Sequence, residues 1–137
     1  MDTNSFIIEQ QSPFDVKTTI ERIAKAANEK EWQNPATHNL QQSLAKSGKI
    51  VKPIQVIELC KPKFSGALLE KNHERIASIL MPCRISVYEK DDGKTYIALL
   101  NPSAMAANMP TSIAEVMNSA ADEISDIVDS VINVSST

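Results

Sequence analysis

The residues of this chain best suited to chemistry are its two cysteines, which are its only thiols. Cys60 ends a β-rich apolar run, Pro53–Leu59, and stands just before Pro62, which can open a helix. A thiol at such a position feels the partial positive charge of unpaired amide groups, and Lys61 and Lys63 flank it in the sequence. Because these surroundings favour the thiolate form, Cys60 is predicted to be the more reactive cysteine.

Cys83 begins an alternating run in which it shares the parity of Ile85 and Val87. We therefore expect its side chain to point into the core, where a free cysteine behaves as a small apolar residue. Two cysteines are too few for a secreted disulfide scaffold, and in a reducing cytoplasm both are expected to be free thiols. A disulfide between them would then be a redox event.

Whether the two thiols meet depends on the directions of the predicted strands 54–59 and 84–90. If the strands are parallel neighbours, the thiols lie at opposite edges of the sheet, separated by roughly 20 Å. If the strands are antiparallel, the thiols share one edge and could form a disulfide or a two-thiolate metal site. Met81, Met105 or Met109 could then add soft ligands suited to copper(I), although methionine is more often core filler. The sequence leaves both topologies open.

Two further features offer weaker candidates. His73 follows a possible helix cap in a polar stretch, so we expect a surface residue there rather than a ligand. A run of lysines interrupted only by Glu58 could meet an anionic ligand, but most such runs are solvated. Its members are Lys46, Lys49, Lys52, Lys61 and Lys63.

Several classes of enzyme are disfavoured by the residues that the sequence lacks. The three glycines are isolated, so they cannot build a glycine-rich phosphate cradle or a dinucleotide-binding turn. Two distant histidines and two cysteines cannot form the usual zinc sites within one subunit. Neither a G-x-S-x-G elbow nor an H-E-x-x-H pair is present. We therefore consider an ordinary enzyme less expected than a binding or redox module.

Charge and hydropathy also limit the partners and the compartment. The net charge is −3, and the segment from Ser112 onward carries acids without a single Lys or Arg. This distribution is unlike that of nucleic-acid binders, which cluster basic residues at phosphates. No apolar run approaches the roughly 20 residues that cross a bilayer, and the first residues do not resemble a secretory signal. We expect a cytoplasmic protein with neither a membrane span nor a nucleic-acid partner.

The hydrophobic pattern predicts an α+β fold. We expect one domain over residues 1–137, with a small sheet of about four to five strands, helices packed on it and a long C-terminal helix over 111–134. The other predicted elements are a strand at 6–10, a helix at 13–31 capped by Ser12, a short helix between Asn39 and Gly48, helical turns at 62–80, and a hairpin whose turn is Asp91-Asp92-Gly93. The apolar stripe of the last helix is predicted to pack across the sheet; part of it could instead face a second subunit.

Three stretches of the chain resemble the domain-of-unknown-function family 302. They read SPFDVKTTIERIAKAANEKEW, PIQVIELCKPKFSGALLEKN and LMPCRISVYEKDDGKTYIALLNP, and the resemblance covers about residues 5–102. It implies a compact α+β domain that assembles as a homodimer, with no established reaction. Cysteine-bearing members are similar at Cys60 and Cys83, which implies a thiol or metal role for the pair. Glu29-Lys30-Glu31 stands where a glycine is common, which leaves the end of the first helix in question.

Two hypotheses follow. In the first, the protein is a small ligand-binding, metal-binding or thiol-redox module centred on Cys60 with Cys83 as its partner, and any cofactor is a thiolate-bound metal ion. In the second, it is a non-catalytic homodimeric interaction protein whose last helix drives dimerisation and whose cysteines only pack.

Overall fold

A single antiparallel sheet organises the chain, as seen in a computed structural model that describes residues 6–101, 104 and 108–133. Its five strands lie in the order β1-β5-β4-β3-β2. The strands are β1 (Ile7–Ser12), β2 (Thr37–Asn39), β3 (Ile54–Leu59), β4 (Cys83–Glu89) and β5 (Thr95–Leu100). The helices are α1 (Val16–Glu29), α2 (Leu40–Ala45), α3 (Pro62–Leu69), a 3₁₀ helix (His73–Leu80) and α4 (Thr111–Ile132). The predicted α+β fold with a long C-terminal helix is confirmed.

One face of the sheet forms the main core. Alternate residues of the three central strands point toward α1 and α4, because successive side chains of a strand face opposite sides. Those of β3, β4 and β5 are fully buried at Ile57, Leu59, Ile85, Val87 and Ile97. They pack against the apolar stripes of both helices. The main core therefore lies between this face of the sheet and the helices α1 and α4. Val56, whose side chain points to the opposite face of β3, is also buried.

The start of α1 differs from the sequence prediction. Asp15, not Ser12, caps the helix: its carboxylate accepts a hydrogen bond of 2.8 Å from the Thr18 N–H. Ser12 instead ends β1, and its buried hydroxyl lies 2.7 Å from that of Thr19. A Ser-Pro pair is a good cap signal, but Asp15 offers an equally good acceptor within the first turn that actually forms.

The helix α1 ends without a glycine, because another residue adopts the left-handed conformation there. Glu31 adopts a positive φ of 65°, the left-handed conformation that glycine adopts most readily. The turn brings the Trp32 N–H within 2.9 Å of the Ala27 carbonyl oxygen. Trp32 is then buried against Phe64, with ring centroids 5.8 Å apart. The helix therefore ends at Glu29, two residues earlier than predicted.

The final helix α4 is a core element. Its apolar seam alternates steps of three and four residues and comprises Ile113, Met117, Ala120, Ile124, Ile127 and Val131. The seam from Ala120 onward packs in the main core, and Ile113 packs with Leu68 and Ala77. The residues of this seam that are buried are Ile113, Ala120, Ile124, Ile127 and Val131. This confirms the prediction that the helix packs across the sheet.

Two small elements complete the sheet edge beside β3. The short strand β2 pairs with β3 in antiparallel register. The polar sequence of β2, Thr37-His38-Asn39, does not predict a strand. Asn39 then caps α2, accepting a 3.0 Å hydrogen bond from the Gln42 N–H, as predicted. Gly48 follows with φ 78°, which is the positive φ expected at a helix end.

The outer face of the sheet carries polar contacts. The Tyr88 and Tyr96 rings stack with centroids 6.4 Å apart, and the Tyr88 hydroxyl donates to Glu9. Lys90 places its ammonium 2.9 Å from the same carboxylate. Tyr96 donates to Asp92 at 2.5 Å. These contacts stitch β1, β4 and β5 together away from the core.

Candidate thiol site

The two cysteines meet at one end of the sheet. β3 and β4 are antiparallel, and Cys83 lies opposite Leu59, the residue before Cys60. Cys60 exchanges two backbone hydrogen bonds with Gln33, of 2.7 and 2.9 Å, which fix the chain just past β3. Of the two topologies left open by the sequence, the antiparallel one is therefore observed, and the parallel arrangement with distant thiols is excluded.

Cys60 and Cys83 both line a cavity of about 30 Å³, which we call the small cavity. This volume suits a water molecule or a single ion, not an organic molecule. Its walls come from β3, α3, the segment before β4, and α4. Its lining includes Cys60, Cys83, Met81, Met117, Ser65, Phe64 and Trp32. Met81 and Met117 thus line the same cavity as the two cysteines.

Cys60 is a half-buried free thiol at the start of α3. Its S–H points to the Ser65 hydroxyl, with Sγ and Oγ 3.7 Å apart. Lys61 does not reach over the thiol: its ammonium lies 2.8 Å from Glu123 Oε1 and donates to the Lys30 carbonyl at 2.9 Å. The lysine expected to favour the Cys60 thiolate is therefore committed to a carboxylate on α4.

Cys83 is also a half-buried free thiol. Burial raises the pKa of the Cys83 thiol, and the negative charge that Cys60 carries when ionised raises this pKa further. The second effect couples the two sulfurs electrostatically. At neutral pH Cys83 consequently holds its proton more firmly than an ordinary cysteine.

The structure brings some of the weaker candidates from the sequence to the thiols and places others elsewhere. His73 is exposed in the first turn of the 3₁₀ helix, and Lys63 places its ammonium 5.7 Å from the centre of the Phe64 ring. Met81 does join the thiols in the small cavity. Met109 lines a second, larger space, whereas Met105 falls outside the described residues.

The larger space, which we call the cleft, has a volume of about 500 Å³. It opens between the 3₁₀ helix, α4 and the strands β1 and β5. Cys83, Leu80, Met81, Pro82, Met117 and Ala120 line both spaces. Cys83 is thus the thiol that faces the cleft as well as the small cavity.

The sequence profile of the family described as "Domain of unknown function DUF302" matches residues 8–131. The chain belongs to this family. An uncharacterized conserved DUF302 protein from Bacillus stearothermophilus, solved by crystallography, superposes with a TM-score of 0.82 at 19% identity, covering 92% of this DUF302 chain and 98% of the other. At that identity the likeness supports the fold alone. No curated protein matches the chain.

Two observations concern metal binding and membrane spanning by this DUF302 chain. Among the residues that the structure describes, no three His, Cys, Asp or Glu side chains gather in a way that could hold a metal ion. Soft sulfur ligands are the remaining donors at the thiol site. No helix within the described ranges is both long enough and apolar enough to cross a membrane.

Sequence reasoning missed two parts of the site. Met117 enters the small cavity from α4, although its position in the helix seam suggested only core packing. Glu123 accepts hydrogen bonds from the buried Trp32 indole at 2.9 Å and from Lys61 at 2.8 Å. The one available signal was that Glu123 directly precedes a seam residue, Ile124, at the border of the apolar stripe.

Proposed function

We propose that this DUF302 protein is a small thiol-redox module in which Cys60 and Cys83 form a reversible disulfide. The observation that carries the proposal is that Cys60 and Cys83 line one small cavity at the end of an antiparallel strand pair. Residues directly opposite in such a pair have Cα atoms about 4.5–5.5 Å apart. Cys60 directly follows Leu59, the residue opposite Cys83, so the two cysteines are diagonal neighbours at the end of the strand pair.

The reaction would be thiol–disulfide exchange. One cysteine thiolate attacks a disulfide substrate, giving a mixed disulfide and one substrate thiol. The second cysteine then attacks the protein sulfur of that mixed disulfide, releasing the other substrate thiol and closing the Cys60–Cys83 bond. Two protons and two electrons pass from the cysteines to the substrate, and the reverse reaction restores the dithiol.

The test is equilibration of the protein in glutathione redox buffers followed by trapping with N-ethylmaleimide and mass spectrometry. We expect the oxidised protein to take up no label, to remain a single covalent chain and to be lighter by two hydrogens than the reduced form. Cys60→Ser and Cys83→Ser are the matched controls, because each retains one thiol and cannot close the bond. Glutathione adducts or intermolecular disulfides in place of the internal bond would contradict the proposal.

A copper(I) site is the second candidate, favoured by one specific observation. Met81 and Met117 line the same small cavity as both thiols. Two thiolates with thioether sulfur form a donor set that copper(I) prefers over harder metals. The cavity volume of about 30 Å³ suits a single ion.

Competition with a chromophoric copper(I) chelator under anaerobic conditions tests this second candidate. Loss of binding is expected in Cys60→Ser and in Cys83→Ser, and weaker binding in Met81→Leu. Met109→Leu is the matched control, since Met109 lines the cleft but not the small cavity. Undiminished binding in the Cys60→Ser/Cys83→Ser double variant would rule the site out.

The proposal includes a cytoplasmic homodimer, with the edge strand β1 as its contact. Phe6 and Ile7 are both more than half exposed at the start of β1. Exposed apolar residues that cluster support an interaction surface. Analytical sedimentation of Ile7→Lys should give a monomer. Ile50→Lys is the control, because Ile50 is 87% exposed but lies outside β1, and it should remain dimeric.

A further inference from the structure

The cleft has the size of an organic ligand, unlike the small cavity. Its volume of about 500 Å³ falls within the roughly 300–1,000 Å³ of small-molecule sites. The small cavity, of about 30 Å³, cannot take such a molecule. If an organic substrate reaches the thiols, the cleft is the space that can hold it.

The walls of the cleft suit a mainly apolar, neutral molecule. Leucine, isoleucine, valine and methionine side chains dominate the described lining, and Gln10 and Ser125 add uncharged polar groups. Among the described lining residues, Arg84 and Asp122 carry a charge, and their charges are opposite. A ligand therefore meets no net charge.

The mouth of the cleft is also apolar. Ile79, on the 3₁₀ helix, is 84% exposed, and Leu100, at the end of β5, is 52% exposed. Both side chains line the cleft. An apolar molecule that enters would cover side chains that otherwise face water, which favours its binding.

The two spaces meet at Cys83. The common wall of the cleft and the small cavity contains Cys83, whereas Cys60 lines only the small cavity. A molecule bound in the cleft thus lies against Cys83, and Cys60 lies on the far side of the common wall. The sequence predicts Cys60 as the more reactive thiol, and the raised pKa of Cys83 lowers its thiolate fraction at neutral pH. Access from the cleft, and not thiolate fraction, is what would make Cys83 react first.

We propose that the cleft binds a neutral, mainly apolar organic disulfide and presents its S–S bond to Cys83. The inference rests on the proposed thiol-redox function and names the substrate class of that site. The Cys83 thiolate attacks one substrate sulfur, forming the mixed disulfide and expelling a thiolate that takes up the proton lost by Cys83. Cys60 then attacks the Cys83 sulfur and expels the second substrate thiol, which gains the Cys60 proton.

The test compares two neutral disulfides that differ in polarity. The apolar probe is 4,4′-dithiodipyridine, an aromatic disulfide whose thiol product absorbs light; the polar probe is bis(2-hydroxyethyl) disulfide. Ser125→Trp places a large side chain on the exposed cleft wall of α4. Ser119→Trp makes the same change on the same helix at an exposed position that does not line the cleft.

The expected result is selective. Ser125→Trp should slow the reaction of the apolar probe by about tenfold, a loss equal to about 1.4 kcal/mol of binding, and leave the polar probe unchanged. Ser119→Trp should alter neither rate. Equal effects of Ser125→Trp on both probes, or no effect on either, would overturn the proposal.

A binding measurement separates this inference from the thiol chemistry. The neutral fluorescent probe N-phenyl-1-naphthylamine is titrated into the Cys60→Ser/Cys83→Ser double variant, which has no thiols. Binding that Ser125→Trp removes and Ser119→Trp retains would support the cleft as an apolar site even if no internal disulfide forms. Absence of binding would refute the cleft proposal while the disulfide itself remains separately testable.

Discussion

Leu59 and Cys83 face each other across the antiparallel pair of β3 and β4, and this register brings Cys60 to the same end of the sheet. Two residues separated in the sequence by α3 and the 3₁₀ helix thereby line one cavity. The direction of a single strand decides this, since a parallel β4 would place the thiols at opposite edges. The register is thus the structural basis of every thiol reaction proposed above.

The reactivity of Cys83 should rise at higher pH than that of an ordinary cysteine. Burial is the main cause that raises its pKa, and the charge of ionised Cys60 adds to it. Iodoacetamide labelling of Cys83, followed by peptide mass spectrometry, should show a midpoint above about 8.5, the usual value for cysteine. Because burial dominates, Cys60→Ser should lower this midpoint only in part. A midpoint at or below the usual value would contradict the burial argument.

The same raised pKa predicts how stability depends on pH. The folded protein keeps the Cys83 proton where the unfolded chain loses it, so the stabilising contribution is complete below the unfolded pKa of about 8.5. It is lost as the pH rises through the higher folded pKa. Urea unfolding from neutral to alkaline pH should therefore show a decline that is smaller in Cys83→Ser. Parallel profiles for the two proteins would exclude this linkage.

Glu123 should stabilise the fold by joining α4 to two other elements. Its carboxylate accepts hydrogen bonds from the buried Trp32 indole and from Lys61. Glu123→Ala leaves both donors without this acceptor and should cost about 1–3 kcal/mol in the free energy of unfolding. Fluorescence of Trp32, the only tryptophan, reports the transition. Glu115→Ala, an exposed acid on the same helix, is the control and should change little.

The contribution of Glu123 should also disappear in acid. The hydrogen bond from Lys61 is the main cause that lowers the pKa of Glu123. A lowered folded pKa gives stability that is present above the unfolded value of about 4.3 and lost as the pH falls through the folded value. The difference between the wild-type protein and Glu123→Gln should therefore shrink in that range. If the difference in the free energy of unfolding between the two proteins stays constant down to strong acid, the negative charge of Glu123 does not stabilise the fold.

Replacing Glu31 by glycine should stabilise the protein. Glu31 holds a φ of 65°, a left-handed conformation that costs residues with a Cβ roughly 1–2 kcal/mol. Glu31→Gly removes this cost but makes the unfolded chain more flexible, so we expect a net gain of about 0.5–1 kcal/mol. Thermal unfolding followed by circular dichroism measures it. Glu29→Gly, at the last helical residue, should instead destabilise the protein. A lower stability in Glu31→Gly would refute the argument that the positive φ of Glu31 costs free energy.

Removal of α4 should abolish folding rather than give a monomer. Ile127 is fully buried, and the neighbouring seam residues are at most 5% exposed. Deletion of residues 112–137 should therefore eliminate cooperative unfolding. The milder Ile127→Ala should retain the fold and lose about 2–5 kcal/mol. A deletion variant that unfolds cooperatively as a stable monomer would instead support the hypothesis that α4 serves dimerisation.

Elements with a clear periodic pattern could be predicted from the sequence. The hairpin of β4 and β5 and the helix α4 have patterns in which apolar spacing matches one face, whereas β3 is a β-rich run with apolar residues on both faces. β2 escaped because its polar residues Thr37, His38 and Asn39 form a strand only by pairing with β3. Pairing of this kind is a tertiary effect, and local propensity does not encode it.

The site was less predictable than the fold. The identities of Cys60 and Cys83 as candidates came from the sequence, but their proximity required the strand direction. Lys61 was expected to act on the neighbouring thiol. Its partner is Glu123, which lies on a helix at the other end of the sequence. Sequence neighbours predict electrostatics poorly when a long side chain can turn to a distant charge.

The segment between Cys60 and Cys83 is attached to the sheet at both of its ends, which are the two cysteines. α3 and the 3₁₀ helix enclose a satellite core of Leu68 and Ala77, completed by Ile113 of α4. A bond between Cys60 and Cys83 would tie this segment into a covalent ring at its base, and rings of this order restrict the unfolded chain by roughly 3 kcal/mol. Oxidation would then suppress local unfolding of this segment. In the reduced protein the segment could unfold locally and refold, whereas in the oxidised protein the disulfide would hold both of its ends at the sheet.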